Sequence, residues 1–570
     1  MIDLIKLEKQ KQHLNDVIIN GNNKDKFKVL DLEAGTGKTL QAEISIANAN
    51  RKSILVRERI KDCIESQDRI NNIAGMDIAI AINSETVNAK QWETLQKQIK
   101  HYAVVIITHE KYKSLAIRSK DRQTFIQGRE ILVIDEFLNI TNGNILSISK
   151  KWIDEFETLL QHRSLRNLFA ECVDEIEDYL ITIKKPQSFF NAKINVDKKI
   201  NKLKQLAKEN LDVKELQEQG HSKNEIVETI DNLKQFYNQT CVVEGKIIYC
   251  TNRKYRYWLL DNNVMLDASA TLNKAYNLSP LFEISRQGAV FRHEKWSFLI
   301  SKTNSTKSAK GRALDFYEVV NRVAGKLDNP LVVGNKDDSS HFQSDNINWF
   351  GNLTGSNQYR DLKDCIIAHN PNVPFRTYVL EYLYYSNIKL DNRTTWTGIK
   401  SGKGDEMVYR FKDKRFEDYR QGRNANEIYQ AIKRVNRSME YESKIFIFNN
   451  DMEVVNKVLK MFKGVKESAI TEHDNVVEFE KSKQKEHLQE HNQNQKDNSY
   501  STKFIDLMQE IKQGNHKELI DGRKIKKLVI CEKVGLDINK FRRRIGNNAD
   551  VLDYCNKNNI LIKGQNVMVG

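Results

Sequence analysis

The run DLEAGTGKT, Asp31 to Thr39, follows an apolar strand pattern, Lys28–Leu32, and opens a helical pattern, Leu40–Asn50. Gly35, Thr36 and Gly37 offer a turn whose backbone N–H groups can close around phosphates, and the positive end of the following helix adds to them. The Lys38 ammonium can then reach the β- and γ-phosphates, and the Thr39 hydroxyl can ligate Mg²⁺. Leu32 stands where the general pattern has its first glycine. Strand, turn, GKT and helix in this order predict a nucleotide-binding loop, with ATP and Mg²⁺ as its ligands.

A second signal, ILVIDEF from Ile131 to Phe137, ends an apolar strand in two carboxylates 97 residues after Lys38. At the C-terminal edge of a parallel sheet, Asp135 can hold Mg²⁺ while Glu136 polarises the attacking water. Around these two signals, Phe27–Leu32, Ser53–Val56, Ala103–Thr108 and Ile131–Ile134 read as buried strands with helical patterns between them. That alternation predicts an α/β fold with a parallel sheet covered on both faces. Charged, helix-period sequence fills 138–263, with Pro186 its only breaker. A second α/β stretch has strand patterns at Pro330–Gly334 and Cys365–Ala368 and a helical pattern over Glu427–Met439.

The chain has 570 residues, enough for three or four domains. With 39% hydrophobic and 29% charged residues it can form large cores. Lysine plus arginine exceeds aspartate plus glutamate by 15. This points towards a polyanion, but the richness in Lys, Asn and Ile also fits an AT-rich genome and weakens that inference. Runs such as Ala103–Ile107 fall far short of the roughly 18 residues of a membrane span, and MIDLIKLEKQK lacks the apolar core of a secretory signal. The expectation is a soluble, cytoplasmic protein with no membrane partner. Seven scattered cysteines without a CxxC argue against a disulfide framework or a four-cysteine zinc site.

GTGKT and DEF, followed by LDASATL (Leu266–Leu272), NLTGSNQYRDLKDCIIAHNPNVP (Asn352–Pro374) and QAIKRVNR (Gln430–Arg437), resemble motifs I, II, III, V and VI of superfamily 2 (DEAD/DEAH-like) helicases. The resemblance covers roughly residues 10 to 450. It implies two RecA-like P-loop NTPase domains with ATP in the cleft between them: 1–137 with 264–285, and 286–464. A helical insertion (138–263) would interrupt the first. Arg434 and Arg437, read as one turn apart on one helix face, would cross the cleft to the γ-phosphate, with Arg437 as the arginine finger and Gln430 as a nucleotide sensor. Ser269 and Thr271 would couple the nucleotide state to nucleic-acid grip, and Gly355 and Asn357 would contact both ligands. Gln10 or Gln12 is the candidate adenine reader.

The insertion resembles in position the helical arch of the iron–sulfur DNA-repair helicases. Only Cys63 lies between Lys38 and Asp135, so those ligands are missing and a cluster-free relative of phage or plasmid type is expected. The insertion would lie beside the displaced strand, or serve only as a packing or docking appendage. The implied activity is ATP-dependent unwinding of single-stranded or forked DNA by a monomeric motor. Replication or recombination of a bacterium, phage or mobile element is the expected setting, with replication proteins as possible partners. An RNA helicase, or a nucleotide-gated DNA-binding regulator that does not unwind, remains open.

Arg57 and Arg59 after the strand SILV, and Thr108 and His109 after AVVII, match positions that grip the sugar-phosphate backbone, or they merely cap and solvate loops. Tyr255, Tyr257 and Trp258, interleaved with Arg253, Lys254 and Arg256, either stack bases or fill a core. A polar stretch, 465–500, reads as a linker or a solvated helix. Residues 501–570 carry 14 Lys/Arg against 8 Asp/Glu. They read as a winged-helix-like, DNA-binding domain. Its first helix would turn Ile525, Leu528 and Val529 inward and end at Gly535. A second helix, capped by Asp537, would expose Lys540, Arg543 and Arg544, and ILIKGQNVMV would form the wing. A basic tail that only adds charge is the alternative.

Overall fold

The structure, a computed structural model, describes residues 2–83, 95–183, 187–353, 358–386, 390, 396–400, 407–472, 500–536, 538, 541 and 545–569. Contacts divide the chain into two units, one running over Met1–Gly311 and Asp315–Val477 and the other holding the C-terminal region.

In the first unit the Val- and Ile-rich runs form strands β1 (Phe27–Asp31), β2 (Ser53–Arg57), β3 (Ala79–Ile82), β4 (Val104–Thr108) and β5 (Ile131–Asp135). After an insertion with strands β6 (Ile145–Ser149), β7 (Gln187–Phe190), β8 (Cys241–Glu244) and β9 (Ile247–Thr251), the chain returns as β10 (Asn262–Leu266) and β11 (Phe282–Arg286). Strands β1–β5, β10 and β11 make one parallel sheet in the order β11-β1-β10-β5-β2-β4-β3. Nearly every residue of β5 and β10 is buried, as helices on both faces require.

Register sets up the site. Leu266 pairs with both Leu30 and Asp135, and Arg57 with Thr108, so the loops leaving β1, β2, β4, β5 and β10 emerge along one edge.

The second lobe is a parallel sheet built from β12 (Trp296–Ser301), β13 (Leu331–Gly334), β14 (Ile347–Trp349) and β15 (Cys365–Ile367). After a hairpin of β16 (Trp396–Lys400) and β17 (Met407–Phe411), it adds β18 (Ser443–Phe448) and β19 (Ile470–Glu472). Its order is β14-β13-β15-β18-β12-β19. Strand β19 lies inside the stretch expected to be linker; it pairs in parallel with β12, so the lobe runs past residue 464.

Three departures from expectation have physical causes. The insertion carries the predicted helices, Arg163–Thr182 and Asp197–Asn210 among them, but also an antiparallel sheet, β6-β9-β8-β7. Cys241, Val243, Ile248 and Cys250 of that sheet are buried with the helices in a core of the insertion's own. The aromatic helix Phe375–Tyr385 and the β16–β17 hairpin stand outside the second lobe's sheet. Tyr378, Tyr382, Tyr385 and Phe411 instead join the first lobe's core around Phe27, Tyr276 and Phe282. The helix predicted over Glu427–Met439 spans Lys414–Ile432. Asn436 ends it: its N–H bonds the Leu362 carbonyl at 2.7 Å, and its amide bonds Ser443 Oγ at 2.7 Å and the Tyr441 carbonyl at 2.8 Å.

The C-terminal unit has helices Tyr500–Lys512, Lys527–Val534 and Ala549–Lys557 and strands β20 (Lys524–Lys526), β21 (Ile560–Lys563) and β22 (Asn566–Val569), ordered β20-β22-β21. The expected wing is the β21–β22 hairpin, and Gly535 ends its helix at φ 72° as expected. The helix register differs. Ile525 is buried on a strand, the inward positions are Ile530, Cys531 and Val534, and Leu528 is exposed. Asp537, Lys540, Arg543 and Arg544 lie outside the described residues. The helix that directly precedes the wing, Ala549–Lys557, exposes Asp550, Asp553 and Lys557.

Candidate nucleotide site between the lobes

The loop after β1 turns at Gly35 (φ 93°) and Gly37 (φ 75°), a left-handed region that side chains with a Cβ avoid. Thr36 closes the turn, its N–H and hydroxyl both donating to the Glu33 carbonyl, at 3.3 and 2.8 Å. Lys38 and Thr39 open the helix Lys38–Ala47.

From β5, Asp135 meets this loop. The Thr39 hydroxyl donates to Asp135 Oδ2 at 2.9 Å, while Asp135 Oδ1 is buried without a hydrogen-bond partner among the described residues. A buried carboxylate oxygen left unmatched is costly unless a ligand completes it, so this pair fits Mg²⁺. Glu136 sits at φ 70°, a conformation non-glycine residues rarely take. Its N–H is held by the Leu266 carbonyl at 2.8 Å. Burial pushes the Glu136 carboxyl up, but Arg434, Lys38 and Arg57 outweigh it and hold the group below its usual range.

The second lobe supplies Arg434, whose Nη2 lies 4.0 Å from Glu136 Oε1. Arg434 and Arg437 follow the end of the helix and do not share a helix face, and of the two it is Arg434 that makes the ion pair with Glu136. Arg437 is half-buried nearby, its N–H on the Arg360 carbonyl; desolvation and Arg434 push its guanidinium down to about 10. Gln430, still on the helix, donates to Ser269 Oγ at 3.0 Å, and Ser269 donates to Asp267 Oδ1 at 2.6 Å. The Thr271 hydroxyl donates to Asp31 at the end of β1. Burial pushes that Asp31 carboxyl up to about 6. The LDASAT segment is therefore tied to the phosphate loop on one side and to the second lobe on the other. Gly355 and Asn357 lie outside the described residues.

Four residues expected on the nucleic-acid track have internal partners. Arg57, 11% exposed, bonds Glu43 Oε1 at 3.2 Å and Ser66 Oγ at 3.1 Å, and lies 3.5 Å from Asp135 Oδ2. It braces the Asp135 carboxylate, which corrects its reading as a backbone contact. Burial pushes His109 down to about 4, so the ring is neutral and its Nε2–H donates to the Asp135 carbonyl at 3.0 Å. Thr108 Oγ1 accepts the Lys111 N–H at 3.1 Å as the cap of the helix His109–Ile117, which leaves its own proton to donate. Arg59 donates to the Asn352 carbonyl of the second lobe at 2.7 Å.

Of the aromatic–basic stretch, Trp258 is core: it stacks on Tyr112 with centroids 4.3 Å apart. Tyr257 packs edge-on to Phe27 and donates to the Leu138 carbonyl. Gln10 turns to the backbone between the lobes, donating to the Gln287 and Gly288 carbonyls, with its own Oε1 buried and unmatched.

Two groups were not foreseen. Glu58, next to Arg57, is pushed up to about 7 by burial and by the Glu136 charge. Glu43, fully buried, accepts from Arg69 at 2.6 and 2.8 Å as well as from Arg57 and Ser66. A glutamate beside Ala42 and Ile46 on a buried helix face was the available signal. Replacing Glu43 with glutamine strands Arg57 behind the site and is expected to lower unfolding stability by about 3 kcal/mol in denaturant titration. A loss below about 1 kcal/mol would show that Arg57 needs no such partner.

No model of a known protein family matches the sequence, and no curated protein matches it. Among solved structures, one described as XPD_APO aligns with 81% of this chain and 100% of its own, at 12% identity and a TM-score of 0.50. Another, XPD_Helicase, aligns with 82% of this chain and 99% of its own, at 12% identity and a TM-score of 0.48. S. cerevisiae Dbp5 L327V bound to RNA and ADP BeF3 aligns with 82% of this chain and 89% of its own, at 10% identity and a TM-score of 0.35. At these identities the likeness is one of fold: a mixed α/β chain with two RecA-like domains.

Proposed function

We propose that this chain is an ATP-hydrolysing motor that moves on single-stranded DNA and unwinds duplex or forked DNA. One observation carries the reading. The Thr39–Asp135 pair with its unmatched carboxylate oxygen, and Glu136 opposed by Arg434 from the other lobe, converge on a single cleft. Backbone N–H groups of the Gly35–Gly37 turn and Lys38 would bind the phosphates, and Thr39 and Asp135 would hold Mg²⁺, which offsets phosphate charge. Glu136, kept ionised, would orient water, and Gln430 through Ser269 would report the nucleotide to the other lobe. Both halves of the site come from one chain, which supports a monomeric motor.

Thr108, whose hydroxyl proton is left to donate at the strand edge, would contact the nucleic-acid backbone. Cys63, buried and with its thiol pushed up to about 12, stands alone between Lys38 and Asp135, which supports a motor without an iron–sulfur cluster. No helix among the described residues is long and apolar enough to cross a membrane. For the C-terminal unit we propose a duplex-DNA tether in which the basic segment 540–544 makes the contacts, because the helix before the wing is acidic on its exposed face.

The test is ATP turnover and strand displacement with single-stranded DNA, RNA and forked duplex, in the full chain and in a chain ending at Asn498. DNA is expected to stimulate turnover more than RNA does. Truncation is expected to spare turnover and to make the salt dependence of duplex binding shallower by about 0.9 per lost phosphate contact. Stimulation without strand displacement would instead favour a nucleotide-gated regulator. An unchanged salt slope would give the C-terminal unit to a protein partner.

A further inference from the structure

We infer that Lys433 is a positioning residue that pins the phosphate loop to the segment joining the two lobes, so that lobe movement and the ATP loop are mechanically one. The inference rests on the motor reading above and concerns a residue that reading leaves without a task.

Glu33 belongs to the phosphate loop, and its carbonyl closes the Thr36 turn. Its side chain leaves the site: Oε2 accepts the N–H groups of Val290 and Phe291 at 2.9 and 3.0 Å. Those two residues lie in the connection between β11 and β12, the direct link from the first lobe's sheet to the second's. Lys433, one residue past the helix Lys414–Ile432 and one before Arg434, brings the second lobe to the same carboxylate. Its Nζ donates to Glu33 Oε1 at 3.2 Å and to His293 Nε2 at 3.2 Å.

His293 can accept because its other nitrogen, Nδ1, faces the Lys463 carbonyl at 3.2 Å and so carries the ring proton. Burial and the adjacent Lys433 keep the ring neutral. The Lys433 ammonium also lies 4.7 Å from the centre of the Phe291 ring.

All three side chains are no more than 6% exposed. A carboxylate and an ammonium removed from water this completely hold only while their partners stay in place. A turn of the second lobe that moves Arg434 must also move Lys433. The strain then passes through Glu33 to the loop that grips phosphate, or to Val290 and Phe291 in the connection. A plain core ion pair would stabilise the fold without this linkage.

The experiment is a double-variant cycle on the full chain with Lys433→Met, Glu33→Gln and both, and with Lys433→Arg as the conservative variant. Methionine keeps the bulk against Phe291. Glutamine keeps one oxygen for the backbone N–H groups but turns an NH₂ towards Lys433. Two readouts are taken: DNA-stimulated kcat and KM for ATP, and amide hydrogen exchange at Val290 and Phe291 without nucleotide. Each single change is expected to lower stimulated kcat about tenfold with a smaller change in KM, and to speed exchange by a similar factor. The double variant is expected to be no worse than either single one, and Lys433→Arg to recover most of the loss.

Losses that multiply in the double variant, or exchange unchanged in all variants, would overturn the pin. Faster exchange with unaltered stimulation would overturn the positioning role. A wild-type chain that binds no nucleotide would sink the motor reading instead, and the exchange cycle would still judge the pin.

Discussion

Replacing Glu136 with glutamine is expected to lower nucleic-acid-stimulated ATP turnover by about 10²–10⁴-fold while nucleotide binding survives. The side chain is almost unchanged in size, so the effect isolates charge. Three cations, Arg434, Lys38 and Arg57, act on this carboxyl and overcome its burial. A glutamate kept ionised accepts a charge-assisted hydrogen bond from attacking water and orients it, whereas the neutral amide holds that water more weakly. The left-handed backbone at Glu136 is a second argument. A strained conformation persists only where the surroundings impose it, and here the Leu266 carbonyl and the flush ends of β5 and β10 do so. The measurement is steady-state turnover beside the affinity of a fluorescent nucleotide. Turnover within about threefold of wild type would remove Glu136 from the chemistry.

Arg434→Ala is expected to cost about 10³-fold in turnover, and Arg437→Ala far less. A guanidinium delivered by one lobe onto the phosphate held by the other acts only when the cleft closes, so its loss falls on kcat more than on KM. Arg434 stands 4.0 Å from Glu136, which points its positive charge at the carboxylate end of the cleft. Arg437 is anchored through its backbone to Arg360, within its own lobe. Arg434→Lys should rescue little, because the ammonium lacks the planar fork that spans two phosphate oxygens. A larger loss for Arg437→Ala than for Arg434→Ala would reverse the assignment.

The two arginines show where reading the chain ran out. Their spacing is that of one helix face, and helix-forming residues precede them. The helix nevertheless stops at Ile432, because Asn436 finds Leu362, Tyr441 and Ser443, all partners outside that helix. Arg57 failed in the same way. A cation after a strand reads as a surface contact, and only the buried Glu43 and the register of β2 beside β4 and β5 turn it inward. The aromatic helix Phe375–Tyr385 falls in the stretch assigned to the second lobe, yet Glu381 on it accepts from Asn139 of the first at 2.9 Å.

What the sequence by itself determined is what short-range chemistry writes into consecutive residues. Glycines at two left-handed positions, a lysine and threonine opening a helix, and an apolar strand ending in two carboxylates were all legible. So were the alternating strands that make two parallel-sheet lobes. Each depends on neighbours within a few positions, where sterics and hydrogen-bonding valence leave little choice. Only the tertiary structure decided which cation serves which anion. Lys433 joins Glu33 across 400 positions, and Arg434 reaches Glu136 from the other lobe. Those pairings follow from the order in which strands were laid side by side and from the cost of burying a charge unmatched. That cost is settled by whatever the finished fold brings within reach, and residue spacing along the chain carries no record of it.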